Sequence, residues 1–387
     1  MSSGNYVRQS AGYRAFIPAP LPPAIEMDNE ILRLLSDADR ALGRLDGVST
    51  VLPNPDLFVA MYVRHEAVLS SQIEGTQSTL QDLLEFEAEG KPIKDVHEVV
   101  NYVAAMNHGL DRLSELPLSL RLLREIHDRL LRGSRGSEKS PGEFRRTQNW
   151  VGSAGSSLND AEYVPPPPHE MKEALSNLEL FLHDRFTFPV LIQCGIAHAQ
   201  FETIHPFLDG NGRVGRLLIT LMLCEREILT SPLLYLSYYL KAHRAQYYDR
   251  LMAIRNDGDW VGWLKFFLRG VFEVSQSATQ VSRDILSLRE SHREAITQKV
   301  SSTNNGLKLL DYLFQQPIIS VKSAEDYLGC TFSTANSVVN ALVDLQLLEE
   351  ITGRERYRIF RYSSYLKLFG RQALVLPEDS TVRATSS

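Results

Sequence analysis

The stretch HPFLDGNGRVGR, residues 205–216, concentrates side chains that can do chemistry. Pro206 disfavours helical geometry at His205, so a helix should end there and a loop should present the imidazole. Because His205 is the group of this stretch that titrates near neutral pH, it is the candidate general base.

A Gly210-Asn211-Gly212 turn follows the histidine. Both glycines permit positive φ angles, and asparagine tolerates them better than most residues. Such a turn at the start of a helix directs backbone N–H groups into one concavity, where anionic oxygens are favoured. Arg213 and Arg216 are three positions apart on the first turn of that helix and can add bidentate bonds to phosphate.

Asp209 lies beside this anion site, and Mg²⁺ commonly takes one carboxylate together with phosphate oxygens. The stretch therefore predicts transfer of a phosphorus-bearing group from a Mg²⁺-nucleotide to a hydroxyl, with His205 accepting the proton. The chain has no GxxxxGK[ST] loop or kinase motif set. Two alternatives are a capped helix start held by ion pairs, and a zinc site, for which no second His or Cys stands at ligand spacing.

The elements that position these groups are predicted to be mainly helical. Apolar residues recur every three to four positions through most of the chain. Predicted helices begin near 26, 56, 80, 95, 118, 171 and 189. The apolar run 214–227 should cross the middle of its domain, the aromatic residues of 235–270 are typical of a core, and the proline-rich residues 1–24 predict an extended arm.

Residues 144–168 interrupt the helical pattern. Segments 144–152 and 162–165 resemble two short strands around a loop rich in Ser and Gly. Because a lone hairpin is only marginally stable, its edges are expected to bind something; the alternative is a surface loop without a role.

The predicted helix that ends at Ile73 carries Ser70 and Glu74 four positions apart, on one face. A carboxylate in a last helical turn faces the negative end of the helix dipole, which is unfavourable unless a cation compensates it. An ordinary helix end with a solvated glutamate is the alternative.

The C-terminal region has the element order of a winged helix. Helices are predicted over 306–315, 321–328 and 333–345, then a strand pair at 348–352 and 356–361. Residues 301–387 hold nine Lys and Arg against nine Asp and Glu, and helix 333–345 holds no Lys or Arg. This favours a structural or dimerising role over sequence-specific DNA binding.

Composition sets broad limits. The net charge of -6 gives no general attraction to nucleic acid or anionic lipid. Cys194, Cys224 and Cys330 form no CxxC pair and predict free thiols in a reducing compartment. Without a signal-peptide pattern or an apolar run of about twenty residues, a soluble cytoplasmic protein is expected, with no membrane partner.

HPFLDGNGRVGR resembles the signature HxFx(D/E)GNGRxxR of Fic-domain proteins at every specified position. The similarity extends over roughly Tyr13–Gly270, and the C-terminal region resembles the winged helix often appended to such proteins. The resemblance implies a helical Fic core that transfers AMP from ATP, with Mg²⁺ as cofactor, to Ser, Thr or Tyr hydroxyls of target proteins and of itself. It makes His205 the base and Asp209 the metal ligand.

The resemblance also assigns the nucleotide site. The assigned residues are Gly210, Asn211, Gly212, Arg213, Val214, Gly215 and Arg216, with Arg216 at the γ-phosphate. Tyr239, Tyr247, Tyr248 and Asn256 lie in the region that it suggests for the adenine pocket. Hairpin 144–168 resembles the family's flap, which would bind the target as an added strand.

Ser70-x-x-x-Glu74-Gly75 is similar to the family's inhibitory motif (S/T)xxxE(G/N), whose glutamate pairs with the second signature arginine, here Arg216. Inhibition would be intramolecular unless a homodimer exchanges the helix. Three alternatives stay open: transfer of another phosphorus group, removal of AMP with Glu74 orienting water, and a DNA-binding regulator.

The expected organisation has five parts. They are an N-terminal helical region 1–112 with the inhibitory helix at about 56–75, a catalytic core 113–270 with flap 144–168, a linker helix 271–305, a winged-helix-like domain 306–375 and a disordered tail 376–387.

Overall fold

A computed structural model describes residues 3–50, 55–90, 95–152 and 157–370. The chain forms two compact units, residues 1–55 with 59–278 and residues 56–58 with 279–387. The predicted tail 376–387 lies outside the described residues.

The first unit is mainly helical, as predicted. Its elements are β1 (Gly4–Arg8), β2 (Arg14–Pro18), α1 (Asn29–Thr50), α2 (Pro55–Ile73), α3 (Leu80–Glu89), α4 (Val96–Leu113), α5 (Leu120–Leu131), α6 (Pro168–His183), α7 (Val190–Ile204), α8 (Asn211–Glu225), α9 (Ser237–Ala242), α10 (Arg244–Asp257) and the first part of α11 (Trp260–Lys299).

Helices α7 and α8 form the centre of this unit. Every residue of α7 from Leu191 to Ile204 is buried, and most of α8 is buried as well. α7 packs against α6 and α8, and α4 packs against α5 and α8. Because both central helices are covered on all sides, the loop between them is held in a rigid surrounding.

Helix starts follow local chemistry. Thr79 caps α3 through a reciprocal pair of hydrogen bonds with Asp82, and the side chain of Ser119 caps α5. α6 begins at Pro168, where the missing N–H of proline costs no helical bond.

The N-terminal residues form a β-hairpin rather than the predicted extended arm. β1 and β2 pair antiparallel with Tyr6 opposite Phe16, and Gly12 takes φ 95° in the turn. The ring of Phe16 is buried against those of Tyr6 and Tyr163. The sequence pattern missed the hairpin because its stability comes from this packing and not from local alternation.

The flap is less regular than the two predicted strands. One antiparallel bridge joins Val151 to Tyr163, and residues 144–150 are not a strand. Arg145 and Asn149 instead donate hydrogen bonds to the loop that follows α7. Those side-chain bonds take the place of a longer strand pairing.

The predicted linker helix 271–305 is the second part of α11, which runs unbroken from Trp260 to Lys299. Its apolar beginning and charged end had suggested two elements. One continuous helix satisfies both patterns, because the apolar part contributes to the core of the first unit.

The second unit contains the three predicted helices. Its elements after α11 are α12 (Thr303–Gln315), β3 (Ile318–Ser320), α13 (Val321–Leu328), α14 (Phe332–Asp344), β4 (Glu349–Glu350), β5 (Ile359–Arg361) and α15 (Ser363–Gly370). The strands form one antiparallel sheet in the order β3-β5-β4. Strand β3 and helix α15, which are short, were not predicted from the sequence.

The three cysteines are free, as predicted. No helix within the described ranges has both the length and the apolar character that crossing a membrane requires.

Candidate active site

The loop between α7 and α8 begins with His205. This residue follows the last turn of α7 with φ 49° and ψ 60°, the left-handed conformation, which non-glycine residues adopt rarely. The side chain of Asn211 closes the loop: its Oδ1 accepts from the N–H of Phe207, and its Nδ2 donates to the Phe207 carbonyl, both at 2.8 Å. The histidine therefore projects from a tightly tied turn.

The two signature glycines serve different purposes. Gly210 has φ 77° and is the N-cap of α8, which fits the predicted turn. Gly212 lies inside the helix, and a Cβ added there would come within 2.2 Å of Glu74 Oε1. Gly212 is thus needed for space rather than for a positive φ.

Asp209 lies at the edge of this turn with 37% of its side chain exposed. Its Oδ1 accepts from the N–H of Gly210 at 2.6 Å and lies 3.6 Å from Arg213 Nη2. No group of three or more His, Cys, Asp or Glu side chains suited to a metal occurs among the described residues. A single accessible carboxylate fits Mg²⁺ that takes its other ligands from nucleotide phosphates and water.

His127 of α5 contacts the loop through a hydrogen bond and a ring stack. Its Nδ1 accepts from the N–H of Gly142 at 2.9 Å, so the proton is on Nε2, which donates to the Asp209 carbonyl at 3.0 Å. The ring stacks on Phe207 with centroids 3.7 Å apart. Burial lowers the pKa of His127 to about 4, so it stays neutral and acts as a structural tie.

The surroundings of His205 keep its imidazole in the neutral form. Burial, reinforced by the positive charges of Arg255 and Arg145, lowers its pKa to about 4, although Glu74 acts in the opposite direction. The imidazole is therefore neutral near pH 7 and available as a base.

Arg213 is buried and held by an acidic residue of α4. Its Nη1 lies 3.4 Å from Glu98 Oε2. Glu98 also accepts from Thr76 Oγ1 at 3.0 Å and lies 3.3 Å from Arg135 Nε. This small network fixes the first arginine next to Asp209.

Arg216 meets the end of α2. Its Nε donates to Ser70 Oγ at 2.8 Å, and its Nη2 donates to the Ser70 carbonyl at 3.0 Å and to Glu74 Oε1 at 2.7 Å. Only 2% of its side chain is exposed. The structure thus brings together the three residues that the sequence analysis linked.

The Glu74 carboxylate lies against the N-terminal turn of α8. Its Oε1 is 2.2 Å from the point that a Cβ on residue 212 would occupy. Burial alone would raise the pKa of Glu74, but the charge and hydrogen bond of Arg216, helped by Arg213, hold it below its ordinary value. Glu74 is therefore ionised and occupies a place that favours anions.

Val214 and Gly215, predicted at the nucleotide, lie within α8. The N–H of Val214 donates to the Gly210 carbonyl at 3.0 Å. The Gly215 carbonyl is 2.8 Å from His198 Nδ1. In this structure both residues have internal partners.

The predicted adenine residues fall in different places. Tyr248 is 38% exposed, and the charges of Glu74 and Arg216 act on its hydroxyl, which places it beside the site. Tyr239 is buried against His243 and Phe266, with ring centroids 4.4 Å and 5.0 Å away. The structure thus gives Tyr239 a packing role and does not bring it to the signature.

The other two residues of that group are bound elsewhere. The hydroxyl of Tyr247 lies 2.9 Å from His198 Nε2, which connects it to the chain of contacts behind Gly215. Asn256 accepts from the Tyr6 hydroxyl at 3.1 Å, in a groove beside the N-terminal hairpin.

Sequence reasoning missed the residues that hold the signature in place, because they come from separate elements. They are Glu98, His127, Arg145, Asn149 and Arg255, and a sixth residue, Glu202, is buried behind Gly215. One signal was available: Glu202 is a charged residue inside an otherwise apolar helix, and such residues are rarely buried without a purpose.

Comparison with known families agrees with this geometry. Residues 32–111 match the Fic/DOC family N-terminal model, and residues 117–223 match the Fic/DOC family model. The second matched segment, residues 117–223, includes the signature 205–216 on which the predicted resemblance rests.

Curated relatives carry the name protein adenylyltransferase Fic. The protein from Aedes aegypti is 29% identical over 252 residues, which cover 62% of this chain and 44% of the relative. The protein from Culex quinquefasciatus is 32% identical over 216 residues, which cover 53% of this chain and 39% of the relative. The chain spans less than half the length of these relatives.

A solved structure supports the fold. The crystal structure of a Fic family protein from Desulfovibrio desulfuricans G20 aligns with a TM-score of 0.57 at 18% identity, over 88% of this chain and 98% of that one. The predicted mainly helical Fic fold is confirmed.

Proposed function

We propose that this chain is a protein adenylyltransferase that transfers AMP from ATP to side-chain hydroxyls of target proteins, and that Glu74 inhibits it. The observation that carries this proposal is the Glu74 carboxylate bound to Arg216 at the N-terminal turn of α8. An anion from the chain itself occupies a site suited to phosphate oxygens. The names of the two curated relatives support AMP as the transferred group.

In the proposed reaction, the target hydroxyl gives its proton to His205 as its oxygen bonds to the α-phosphorus of ATP. The bond from that phosphorus to the bridging oxygen of pyrophosphate breaks, and pyrophosphate leaves. The N–H groups at the start of α8 and the guanidinium of Arg213 stabilise negative charge on the phosphates. Asp209 would hold Mg²⁺, which when bound would supply positive charge to the phosphates.

Inhibition follows from competition for Arg216. In the resting chain its guanidinium is bound by Ser70 and Glu74, so the γ-phosphate of ATP cannot take the Glu74 position. ATP that enters would be held in an unreactive pose. Release of Glu74 would leave the two bonds to Ser70 and one vacant direction for phosphate.

The target would bind along the flap. The Phe16 N–H already donates to the Val164 carbonyl at 2.9 Å, so β2 covers the edge next to residue 164. A target segment would therefore add beside residues 144–152, close to the carbonyl groups around His205.

The second unit is proposed to be a winged helix with a structural or dimerising role. Asn336 and Asn340 of α14, the helix that would meet DNA bases, accept from Arg358 at 2.8 Å and 3.4 Å. Because these amides are used inside the unit, nucleic acid is not proposed as a partner. A cytoplasmic location is inferred from the free thiols.

The test compares wild type, Glu74→Gly and His205→Ala incubated with α-labelled ATP, Mg²⁺ and host lysate. We expect weak self-labelling in wild type, strong labelling in Glu74→Gly and none in His205→Ala. Parallel reactions with γ-labelled ATP and mass spectrometry distinguish AMP from phosphoryl transfer. A phosphoryl increment, or equal labelling of wild type and Glu74→Gly, would overturn the proposal.

Labelled product is then incubated with fresh wild-type chain and no ATP. Stable label is expected for a transferase. Loss of AMP under these conditions would show that the site also removes it, with Glu74 orienting water.

A further inference from the structure

The C-terminal end of α7, directly before the proposed base, is capped by side chains. The last carbonyls of a helix have no partner within the helix. Here the Glu202 carbonyl accepts from Arg255 Nη2 at 3.2 Å, and the Thr203 carbonyl accepts from the Tyr163 hydroxyl at 2.6 Å. One donor comes from α10 and the other from the flap.

The flap also supplies the next two caps. Arg145 Nη2 donates to the Ile204 carbonyl at 3.4 Å, and its Nε donates to the His205 carbonyl at 3.0 Å. Asn149 Nδ2 donates to the same His205 carbonyl at 3.3 Å and to the Phe207 carbonyl at 2.8 Å. Four consecutive carbonyls, 202–205, are thus bound by side chains from outside α7.

We call Arg145, Asn149, Tyr163 and Arg255 the α7 cap. Its members hold each other as well as the helix. The guanidinium of Arg255 lies 3.8 Å above the centre of the Tyr163 ring, and its Nε donates to Thr203 Oγ1 at 3.3 Å. The flap, α10 and the end of α7 therefore form one tied assembly.

The charges of the α7 cap oppose the effect of the helix. The C-terminal end of a helix carries partial negative charge, which stabilises a protonated histidine. Arg145 and Arg255 place two positive charges there, and both are buried, with 2% and 9% exposure. Burial is the larger cause that disfavours a proton on His205, and the two arginine charges act in the same direction.

Other charges face His205 from two elements. Glu74, after α2, acts in favour of the protonated imidazole, and Glu202, on α7 itself, lies one turn before His205. Burial raises the pKa of Glu202 to about 7, so this carboxyl is largely neutral in slightly acidic solution. The two arginines thus add to burial in offsetting the effect of Glu74 on His205.

We propose that Arg145 and Arg255 are positioning residues. They fix the left-handed backbone at His205 and keep its imidazole unprotonated. The position of His205 therefore depends on the position of the flap. The catalytic consequence rests on the proposed adenylyl transfer. The effect on the imidazole does not, and it can be measured without any transfer.

The experiment uses the full chain with Arg255→Gln, which removes the charge, and Arg255→Lys, which keeps it. Arg226→Gln is the matched control. Arg226 Nη2 caps α6 in the same manner, donating to the carbonyls of Leu182 at 2.7 Å and Asp184 at 2.8 Å. All three variants lose a capping guanidinium, but only the first two lose it at α7.

The primary readout is the NMR titration of the His205 imidazole, assigned by its absence in His205→Ala. Arg255→Gln should raise the titration midpoint by about one pH unit. Arg255→Lys should stay near wild type, and Arg226→Gln should not change it. An unchanged midpoint in Arg255→Gln, or an equal shift in Arg226→Gln, overturns the proposal.

A second readout, in a Glu74→Gly background, links the α7 cap to the reaction. The acid limb of the rate should move with the His205 midpoint, and kcat should fall about tenfold while the KM for ATP changes less than about twofold. A changed midpoint without any transfer activity would contradict the proposed function and leave the positioning role standing.

Tyr163→Phe serves if Arg255→Gln does not fold, because it removes one cap at nearly constant volume. The loss of the hydrogen bond to Thr203 should lower kcat about fivefold with the KM for ATP unchanged. An unaltered kcat in a folded Tyr163→Phe protein would contradict the coupling of flap and base.

Discussion

Arg216 Nη2 and Glu74 Oε1 lie 2.7 Å apart, although 142 positions separate the two residues in the chain. The same guanidinium makes two hydrogen bonds to Ser70, one turn earlier on α2. Glu74 therefore neutralises an arginine that Ser70 already orients. Because the two bonds to Ser70 would remain, loss of Glu74 should free Arg216 for a ligand while the Arg216 side chain stays ordered.

The first prediction concerns charge at position 74. Glu74→Gln keeps the size of the side chain but removes the ion pair with Arg216, so the competing anion is lost. We expect self-labelling from α-labelled ATP to rise by about ten- to a hundredfold, the usual range for a coupling of this kind. Glu115→Gln is the control. It removes an exposed carboxylate that pairs with Arg112, and this variant should label like wild type. Equal rates in all three proteins would remove Glu74 from the mechanism.

The second prediction concerns stability against pH. Burial lowers the pKa of four histidines to about 4 and raises that of two glutamates to about 7; these residues are His65, His127, His198, His205, Glu66 and Glu202. Below about pH 6.5 these histidines are protonated in the unfolded chain but stay neutral in the folded chain. The two glutamates work in the opposite sense, since the folded chain holds their protons up to about pH 7.

The net difference between about pH 6.5 and 4.5 is two protons more on the unfolded chain. The free energy of unfolding should therefore fall on acidification by about 2.7 kcal/mol per pH unit. Urea denaturation at pH 5, 5.5 and 6 measures this slope. His198→Gln, which removes one of the buried neutral histidines, should reduce it. A flat profile over this range would contradict the burial of neutral histidines.

The residues that carry chemistry could be predicted because they are contiguous. Pro206, Gly210 and Asn211 specify the loop by local conformational rules, and the arginines at 213 and 216 share a face because a helix follows. Glu98 and Arg255 could not be predicted in the same way. Their partners depend on how α4 and α10 pack, and no local pattern reports that packing. The N-terminal hairpin was missed for the same reason, since Phe16 is stabilised by the ring of Tyr163.

The third prediction concerns Glu98. Its carboxylate is the close partner of Arg213, and both side chains are almost fully buried. Glu98→Gln leaves the buried guanidinium with only the 3.6 Å contact to the more exposed Asp209. The unfolding free energy should therefore fall, by up to about 3–5 kcal/mol. Glu115→Gln is again the control, because an exposed pair contributes less than about 1 kcal/mol. Denaturation in urea at pH 7 measures both, and similar losses in the two variants would contradict the role given to Glu98.

The last prediction distinguishes two ways to disturb the inhibitory contact: displacing the Glu74 side chain and removing its charge. Gly212→Ala adds a Cβ that would lie 2.2 Å from Glu74 Oε1, so the carboxylate must leave its place. The same methyl group stands where phosphate oxygens would bind, so labelling should stay low. Hydrogen exchange of residues 70–75 should increase in both Gly212→Ala and Glu74→Gln, while labelling rises only in the second. Gly43→Ala, in α1 with open space around it, should change neither readout. Strong labelling by Gly212→Ala would show that phosphate does not bind at this turn, and would move the nucleotide away from the start of α8.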